Sequence, residues 1–203
     1  MKLKSKRAFA ELAEVLKNPE EGGPEIAYWV FEDISSSKWK NLTLITPGRY
    51  GDEYPKTYGH YHTSEQMFES SKLISGEGIF LLQKKFYDRN GNWIQNRVES
   101  VYFIQAMPGD EMVYIPREFA HSWSNVGNLP LITYDDWIET GQPTHTYAEI
   151  RNLKGMAYYL VENPNGQIDY VSNLNYIDNP EPKWVTPEEF NYLTQNKYHE
   201  KKQ

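Results

Sequence analysis

The chain has 203 residues, no cysteine, 15% aromatic residues and a formal net charge of −7. The missing cysteines exclude disulfide scaffolds, cysteine nucleophiles, zinc fingers and iron–sulfur clusters. The acidic balance argues against sequence-independent nucleic-acid binding and against binding to an anionic membrane surface. Length and composition predict one folded domain.

The N-terminal part is predicted to be helical. Apolar residues recur at helical spacing over 7–17, which predicts a short amphipathic helix, and a loop follows to residue 25. No apolar run approaches the roughly 20 residues of a membrane-spanning helix, and the basic start lacks the unbroken apolar stretch of a signal peptide. We therefore expect a soluble, cytoplasmic protein.

Residues 26–185 have a pattern typical of a β-domain, because runs of aromatic and β-branched residues alternate with Gly, Pro, Asn and Asp. The predicted strands are 27–33, 38–45, 55–62, 66–74, 78–86, 93–95, 99–105, 111–115, 119–124, 129–137, 155–162 and 167–172. Hairpin turns are predicted at 88–92 and 163–166. Thr186-Pro187 begins a helix over about 187–196 within the C-terminal segment 186–203. The prediction is one all-β domain with short helices at both ends.

His60 and His62 are the first candidate functional residues. In a strand, positions i and i+2 point to the same face, with Cα atoms about 6.5–7 Å apart, so both imidazoles could bind one metal ion. A pair of exposed strand histidines is the alternative interpretation. The choice depends on the residues around them.

Further positions extend this pair into two motifs. Glu69 and Gly76-Glu-Gly78 follow the histidines, and Gly109, Pro116, His121 and Asn125 form a second group. The pattern resembles the cupins, which are small antiparallel β-barrels of the jelly-roll type. The resemblance implies one divalent ion bound by His60, His62, Glu69 and His121. Fe2+ is the first expectation, and Mn2+, Ni2+, Zn2+ and Co2+ are alternatives because imidazole and carboxylate ligands suit them all.

The spacing of Glu69 narrows the resemblance. Six residues separate it from His62, and Gln66 and Met67 occupy the places where the generic motif has its Glu. The longer gap is similar to that of the cupin-type (archaeal-type) glucose-6-phosphate isomerases. The shared positions are Pro47, Gly51-Asp-Glu53, Thr57-Tyr-Gly-His-Tyr-His62, Glu69, Gly76-Glu-Gly78, Gln83, Tyr114-Ile-Pro116, His121, Asn125, His145-Thr-Tyr147 and Asn179-Pro180. The resemblance covers roughly residues 40–185.

Three positions depart from that family. Ser71 and Trp137 stand where the family has Tyr, with Tyr134 three places before Trp137, and Arg117 stands where it has Pro. These positions concern the substrate pocket, so they bear on sugar preference rather than on metal binding.

The resemblance implies interconversion of glucose 6-phosphate and fructose 6-phosphate, a reaction of glycolysis and gluconeogenesis, by a homodimer. Glu69 is the candidate proton shuttle between C1 and C2, although a metal-assisted hydride shift would need no such base. His145 is a candidate for ring opening. The candidate substrate contacts are Thr43 (or Thr46), Thr57, Gly59, Tyr134 and Tyr147.

Two other functions would use the same ligands: a metal-dependent dioxygenase or decarboxylase, and a sugar-phosphate-binding protein without catalysis. Outside the ligand set, we expect Arg49 and Lys56 to be solvated loop cations, with added positive charge for the substrate phosphate as the alternative. We expect Glu53 to make a structural hydrogen bond.

Overall fold

The computed structural model describes residues 1–36, 38–63, 69–138 and 145–200, and for residues 195–200 the backbone alone. The strands are β1 (Lys2–Ala8), β2 (Ile26–Glu32), β3 (Asn41–Ile45), β4 (Tyr61–His62), β5 (Glu69–Ser75), β6 (Gly78–Tyr87), β7 (Trp93–Ala106), β8 (Val113–Ile115), β9 (Phe119–Asn125), β10 (Leu131–Asp135), β11 (His145–Thr146), β12 (Tyr158–Glu162), β13 (Ile168–Ser172) and β14 (Lys183–Val185). The helices are α1 (Phe9–Leu12), α2 (Ala148–Asn152) and α3 (Pro187–Glu200), with 3-10 turns at Ala13–Val15 and Pro19–Glu21.

Two larger sheets form the body of the molecule. One has the strand order β1-β2-β3-β10-β5-β8 and the other β14-β7-β6-β9. All of these pairings are antiparallel except β14 with β7. Strands β4 and β11 form a small separate pair, as do β12 and β13. The all-β, cupin-type double-sheet prediction with short terminal helices is confirmed.

The N-terminus differs from the prediction. Residues 2–8 form β1, which pairs with β2 at one edge of the six-stranded sheet. Only Phe9–Leu12 is α-helical, and a 3-10 turn follows it. The apolar spacing was informative, because Leu12 and Val15 are fully buried. The strand went unpredicted because its lysine-rich sequence has little β-propensity, so tertiary pairing decides its conformation.

The segment predicted as a strand over 55–62 is mostly irregular. Only Tyr61–His62 is strand, while Lys56 and His60 form isolated bridges to Ser124 and His121 of β9. Gly59 interrupts the extended backbone with φ +83°. The segment nevertheless follows β9 and carries its histidines alongside that strand.

The other predicted strands are present, except that 93–95 and 99–105 are joined in the single strand β7 and that positions 66–68 lie outside the described residues. Strands β11 and β14 and helix α2 were not predicted. Both hairpin turns are present, with backbone hydrogen bonds joining Asp88 to Asn92 and Asn163 to Gln167. Thr186 and Glu189 cap α3 reciprocally, and that helix extends to residue 200. Among the described residues, no helix has both the length and the apolar character that crossing a membrane requires.

Candidate metal centre and its cavity

His60, His62, Glu69 and His121 lie together, and one ligand atom of each falls within 4.8 Å of all the others. Oε2 of Glu69 is 2.8 Å from Nε2 of His62 and 3.2 Å from Nε2 of His121. The structure therefore brings together the four residues that the resemblance named as ligands.

Three different elements position these side chains. His62 lies on β4, Glu69 begins β5, and His121 lies in the middle of β9. His60 precedes β4 and accepts a hydrogen bond at its carbonyl from the His121 N–H, at 3.2 Å. This bridge holds the two imidazoles in an edge-to-face contact, with ring centroids 4.4 Å apart.

The charge states of the cluster suit a divalent cation. Burial lowers the pKa of His60 well below its usual range, and the neighbouring His121 adds to the effect. Burial also lowers the pKa of His62, although its hydrogen bond to Glu69 works in the opposite direction. Burial pushes the pKa of Glu69 upward, but His121 and His62 hold that pKa well below its usual range. At neutral pH His60 and His62 therefore present neutral imidazole donors, and Glu69 presents an ionised carboxylate.

One orphaned atom tests the fit of a metal to this site. Nε2 of His60 is buried and has no hydrogen-bond partner in the part of the chain that the structure describes. A buried imidazole nitrogen without a partner is costly unless a ligand satisfies it. Since its neighbours are two more imidazoles and a carboxylate, the donor set fits a divalent transition metal.

A cavity of about 150 Å³ opens beside the cluster and is lined by residues of both larger sheets. Of the predicted substrate contacts, Thr43, Thr57, Gly59 and Tyr147 line it. His145 lines it too, and its ring centroid lies 4.2 Å from that of His60. Burial lowers the pKa of His145 to about 4, so its imidazole is neutral at pH 7.

The prediction of Tyr134 as a substrate contact is wrong for this cavity. On β10 the side chains of Thr133 and Asp135 line the cavity, and Tyr134 lies between them in the alternating pattern of a strand. Its ring instead approaches Trp39, with centroids 6.1 Å apart. The alternation of side chains therefore places Tyr134 on the other face of the sheet.

The three residues that depart from the family pattern, Ser71, Arg117 and Trp137, lie in different surroundings. The buried ring of Trp137 lies against His62, with centroids 3.9 Å apart. Ser71 lines the cavity and accepts a 3.0 Å hydrogen bond from Nε1 of Trp123. Arg117 is exposed and does not line the cavity. Two of the three departures therefore shape the site. Gln66 and Met67 lie outside the described residues.

Several cavity residues were missed by sequence reasoning. Lys4 reaches the cavity from β1, and its Nζ donates to Oδ1 of Asn41 at 3.3 Å. Asn41, Thr133 and Asp135 also line it. The polar residues at alternate positions of β3 and β10 were a usable signal. No sequence signal pointed to Lys4, because β1 itself was not predicted.

The expected loop cations have structural partners instead. Lys56 is buried, and its Nζ donates to Oε1 of Glu53 at 2.5 Å and to the carbonyl of Val15 at 2.7 Å. Glu53 also accepts from the Lys17 N–H at 2.7 Å, which confirms its structural hydrogen bond. Arg49 donates to Glu162 at 2.8 Å. The expectation of a solvated Lys56 is wrong, since a buried carboxylate requires a cation.

Comparisons with known proteins find a family model and relatives that match most of the chain. A family model described as glucose-6-phosphate isomerase (GPI) matches residues 8–178. Glucose-6-phosphate isomerase of Thermococcus litoralis is 31% identical over 172 residues, which are 83% of this chain and 77% of that protein. The protein of the same name from Thermococcus onnurineus (strain NA1) is 30% identical, and the match covers 70% of this chain but only 62% of that relative. The solved structure of the capsular polysaccharide assembling protein CapF from Staphylococcus aureus aligns over 59% of this chain and 28% of its own, at 16% identity and a TM-score of 0.38.

Proposed function

The chain belongs to the glucose-6-phosphate isomerase family, and we propose that it interconverts glucose 6-phosphate and fructose 6-phosphate with the help of one divalent metal ion. The observation that supports this most directly is the convergence of His60, His62, Glu69 and His121 beside a cavity that all of them except His62 line. We also propose that residues 1–203 form a single domain.

The four converging residues would hold the metal. Three imidazoles and one carboxylate accept Fe2+, Mn2+, Ni2+, Co2+ or Zn2+, and Fe2+ is the first candidate. When bound, the ion supplies Lewis-acid stabilisation of the negative charge that develops on the sugar oxygens as the proton beside the carbonyl is removed. The protein supplies the remaining steps, which are binding, orientation and proton transfer.

Glu69 is the proposed group that moves the proton between C2 and C1. It is ionised and contacts the same histidines that would bind the metal. Its low pKa makes it a weak base, so the hydride-shift alternative needs its own test. Turnover in deuterium oxide separates the two, because proton transfer through Glu69 incorporates solvent deuterium into the product, whereas a hydride shift retains the substrate hydrogen.

His145 and Tyr147 are the proposed groups for ring opening and hydroxyl orientation. The neutral imidazole of His145 can accept a hydroxyl proton at pH 7. Thr43, Thr57 and Gly59 are the proposed phosphate contacts. At Gly59 an added Cβ would lie 3.1 Å from Sδ of Met156, so only glycine leaves the backbone this accessible.

A coupled assay of fructose 6-phosphate conversion tests the function. It is run on chelator-treated protein, and then after Fe2+, Mn2+, Ni2+, Co2+ and Zn2+ are added back separately. We expect activity to disappear with the chelator and to return with at least one ion. Full activity of protein shown to be free of metal would refute the metal-dependent function. Stoichiometric metal without any isomerisation would favour the redox-enzyme or binding-only alternatives.

His62→Ala connects the metal to the site. We expect this variant to lose metal content and activity together, because only two imidazoles and one carboxylate remain as ligands. Its circular dichroism spectrum should be preserved. The matched control is His199→Ala, which removes a histidine that the sequence places in a polar C-terminal tail. Metal content that falls equally in both variants would argue against the proposed ligand set.

We further propose that the protein is a homodimer. Strands β1 and β8 end the six-stranded sheet, and an unpaired edge strand tends to be covered by another chain. Light scattering coupled to size-exclusion chromatography measures the mass. A mass of 23.8 kDa, that of one chain, would refute the dimer.

A further inference from the structure

The inner face of the six-stranded sheet presents its side chains in rows. Asp135 of β10 pairs with Asn41 of β3 on one side and with Ser71 of β5 on the other. Along β5, Glu69 lies two residues before Ser71. Two residues along an antiparallel strand span about 7 Å. The row of Asn41, Asp135 and Ser71 is therefore the neighbour, along the strands, of the row that contains the metal ligand Glu69.

The next row in the same direction carries hydroxyl groups. Thr133 pairs with Thr43, and both line the cavity. Asp135 thus lies between the level of Glu69 and the level of the threonines. An open-chain hexose phosphate has its reacting carbons at one end, its phosphate at the other and hydroxyls on the carbons between them. The register places Asp135 beside the middle of such a chain.

The carboxyl group of Asp135 is fixed through one oxygen only. Its Oδ1 accepts hydrogen bonds from Nδ2 of Asn41 at 2.5 Å and from the Trp137 N–H at 3.1 Å. Its Oδ2 has no hydrogen-bond partner among the residues that the structure describes, although the side chain lines the cavity. Because Asp135 is only partly buried and lines the cavity, its second oxygen is not held by a protein donor in the described part of the chain. One oxygen orients the group, and the other is available to a ligand.

We propose that Asp135 determines specificity by accepting, at Oδ2, a hydrogen bond from a substrate hydroxyl at C3 or C4. The inference rests on the proposed sugar-phosphate substrate and deepens it. Neither the family motif nor the predicted contacts include Asp135. The bond between a charged acceptor and a hydroxyl is among the stronger hydrogen bonds, so it can discriminate between sugars.

The charge of Asp135 also orients the substrate. A phosphate dianion beside this carboxylate would be repelled, whereas a neutral hydroxyl is attracted. The substrate therefore binds with its phosphate towards the threonine row. The Lys4 ammonium, bonded to Asn41, lies near enough to moderate the negative charge. Burial, together with Glu69, raises the pKa of Asp135 to about 7, so the carboxylate is fully available as a charged acceptor only above neutral pH.

The test is a binding experiment that does not require turnover. Glucitol 6-phosphate, an open-chain analogue that cannot isomerise, is titrated calorimetrically into the metal-loaded protein at pH 8, along with its 3-deoxy and 4-deoxy forms. For the unmodified protein we expect one deoxy form to bind about 10- to 100-fold more weakly than the parent compound. In Asp135→Ala that difference should shrink to within about 3-fold, because the acceptor is gone.

Two further variants separate specificity from folding. Asp135→Asn keeps an oxygen for Asn41 and Trp137 but lacks the charged acceptor, so it should fold normally and also lose most of the discrimination. Asp136→Asn removes a neighbouring carboxylate that does not line the cavity and bonds the Ser70 N–H, so it should keep the discrimination. Unchanged discrimination in both Asp135 variants would overturn the inference, as would an unmodified protein that binds the parent and both deoxy forms equally or binds none of them. Discriminating binding without any isomerisation would refute the proposed function but leave the role of Asp135 intact.

Discussion

Removing the charge of Asp135 should stabilise the metal-free protein at alkaline pH. Burial and the nearby Glu69 raise the pKa of this carboxyl from its ordinary 3.8 to about 7, even though Asn41 and Trp137 donate hydrogen bonds to it. At a pH between these two pKa values, the folded protein keeps a proton on Asp135 that the unfolded chain releases. The folded state is therefore destabilised progressively as the pH rises from about 4 to about 7, and constantly above that.

The size of this effect follows from the two pKa values. A difference of about three pH units corresponds to about 4 kcal/mol at 1.36 kcal/mol per unit. Because the side chain is partly open to the cavity, water there reduces the penalty. We expect Asp135→Asn to raise the free energy of unfolding by about 2–4 kcal/mol above pH 7 and by almost nothing near pH 4. The asparagine oxygen can still accept the two existing hydrogen bonds, so little is lost in exchange.

Urea unfolding of chelator-treated protein at several pH values between 4 and 9 measures this difference. The result that supports the reasoning is a gap between variant and unmodified protein that widens up to about pH 7 and then stays constant. The control is Asp136→Asn, which removes a charge outside the cavity lining. A difference in the free energy of unfolding that is independent of pH, or that shrinks as the pH rises, would show that the fold does not raise the pKa of Asp135.

Three substitutions test other parts of the structure by urea unfolding. Lys56→Met leaves the buried carboxylate of Glu53 without its cation and should lower the free energy of unfolding by about 3–5 kcal/mol. Adding Glu53→Leu to this variant should restore most of that loss. Ser71→Ala removes the acceptor of the buried Trp123 indole N–H and should cost about 1–3 kcal/mol; an unchanged midpoint would indicate another acceptor. Gly59→Ala forces a Cβ onto backbone at φ +83° and should cost about 1–2 kcal/mol as well as isomerase activity. Wild-type stability in this last variant would contradict the strained geometry.

The candidate metal ligands could be predicted because their spacing reflects local geometry. His60 and His62 are two residues apart, and extended backbone puts such positions on the same face. The sequence also marked Glu69 and His121 through their flanking glycines and proline. Even the irregular backbone around Gly59 did not separate the histidines, since the bridge from His60 to His121 fixes the segment against β9.

The cavity wall formed by β1, β3 and β10 could not be predicted from local spacing in the same way. Its composition depends on which strands become neighbours, and the pairing of β3 with β10 joins residues about 90 positions apart in the chain. Lys4 lies at an irregularity in the register of β1 with β2, between Leu3 and Ser5, and such a bulge can redirect a side chain. The misplacement of Tyr134 has the same origin, because a shift of one residue along β10 moves a side chain to the other face.

The two walls therefore divide the proposed work between them. Of the histidines, His121 lies in the regular ladder of β9 with β6, whereas an isolated bridge and the short β4–β11 pair set the positions of His60 and His62. The selecting groups come from β3, β5 and β10, and β5 also carries the metal ligand Glu69, two residues before Ser71. Ser71 and Asp135 share one row of that sheet. A substitution there should alter which sugar binds while leaving the metal content unchanged, and this separates specificity from chemistry within one cavity.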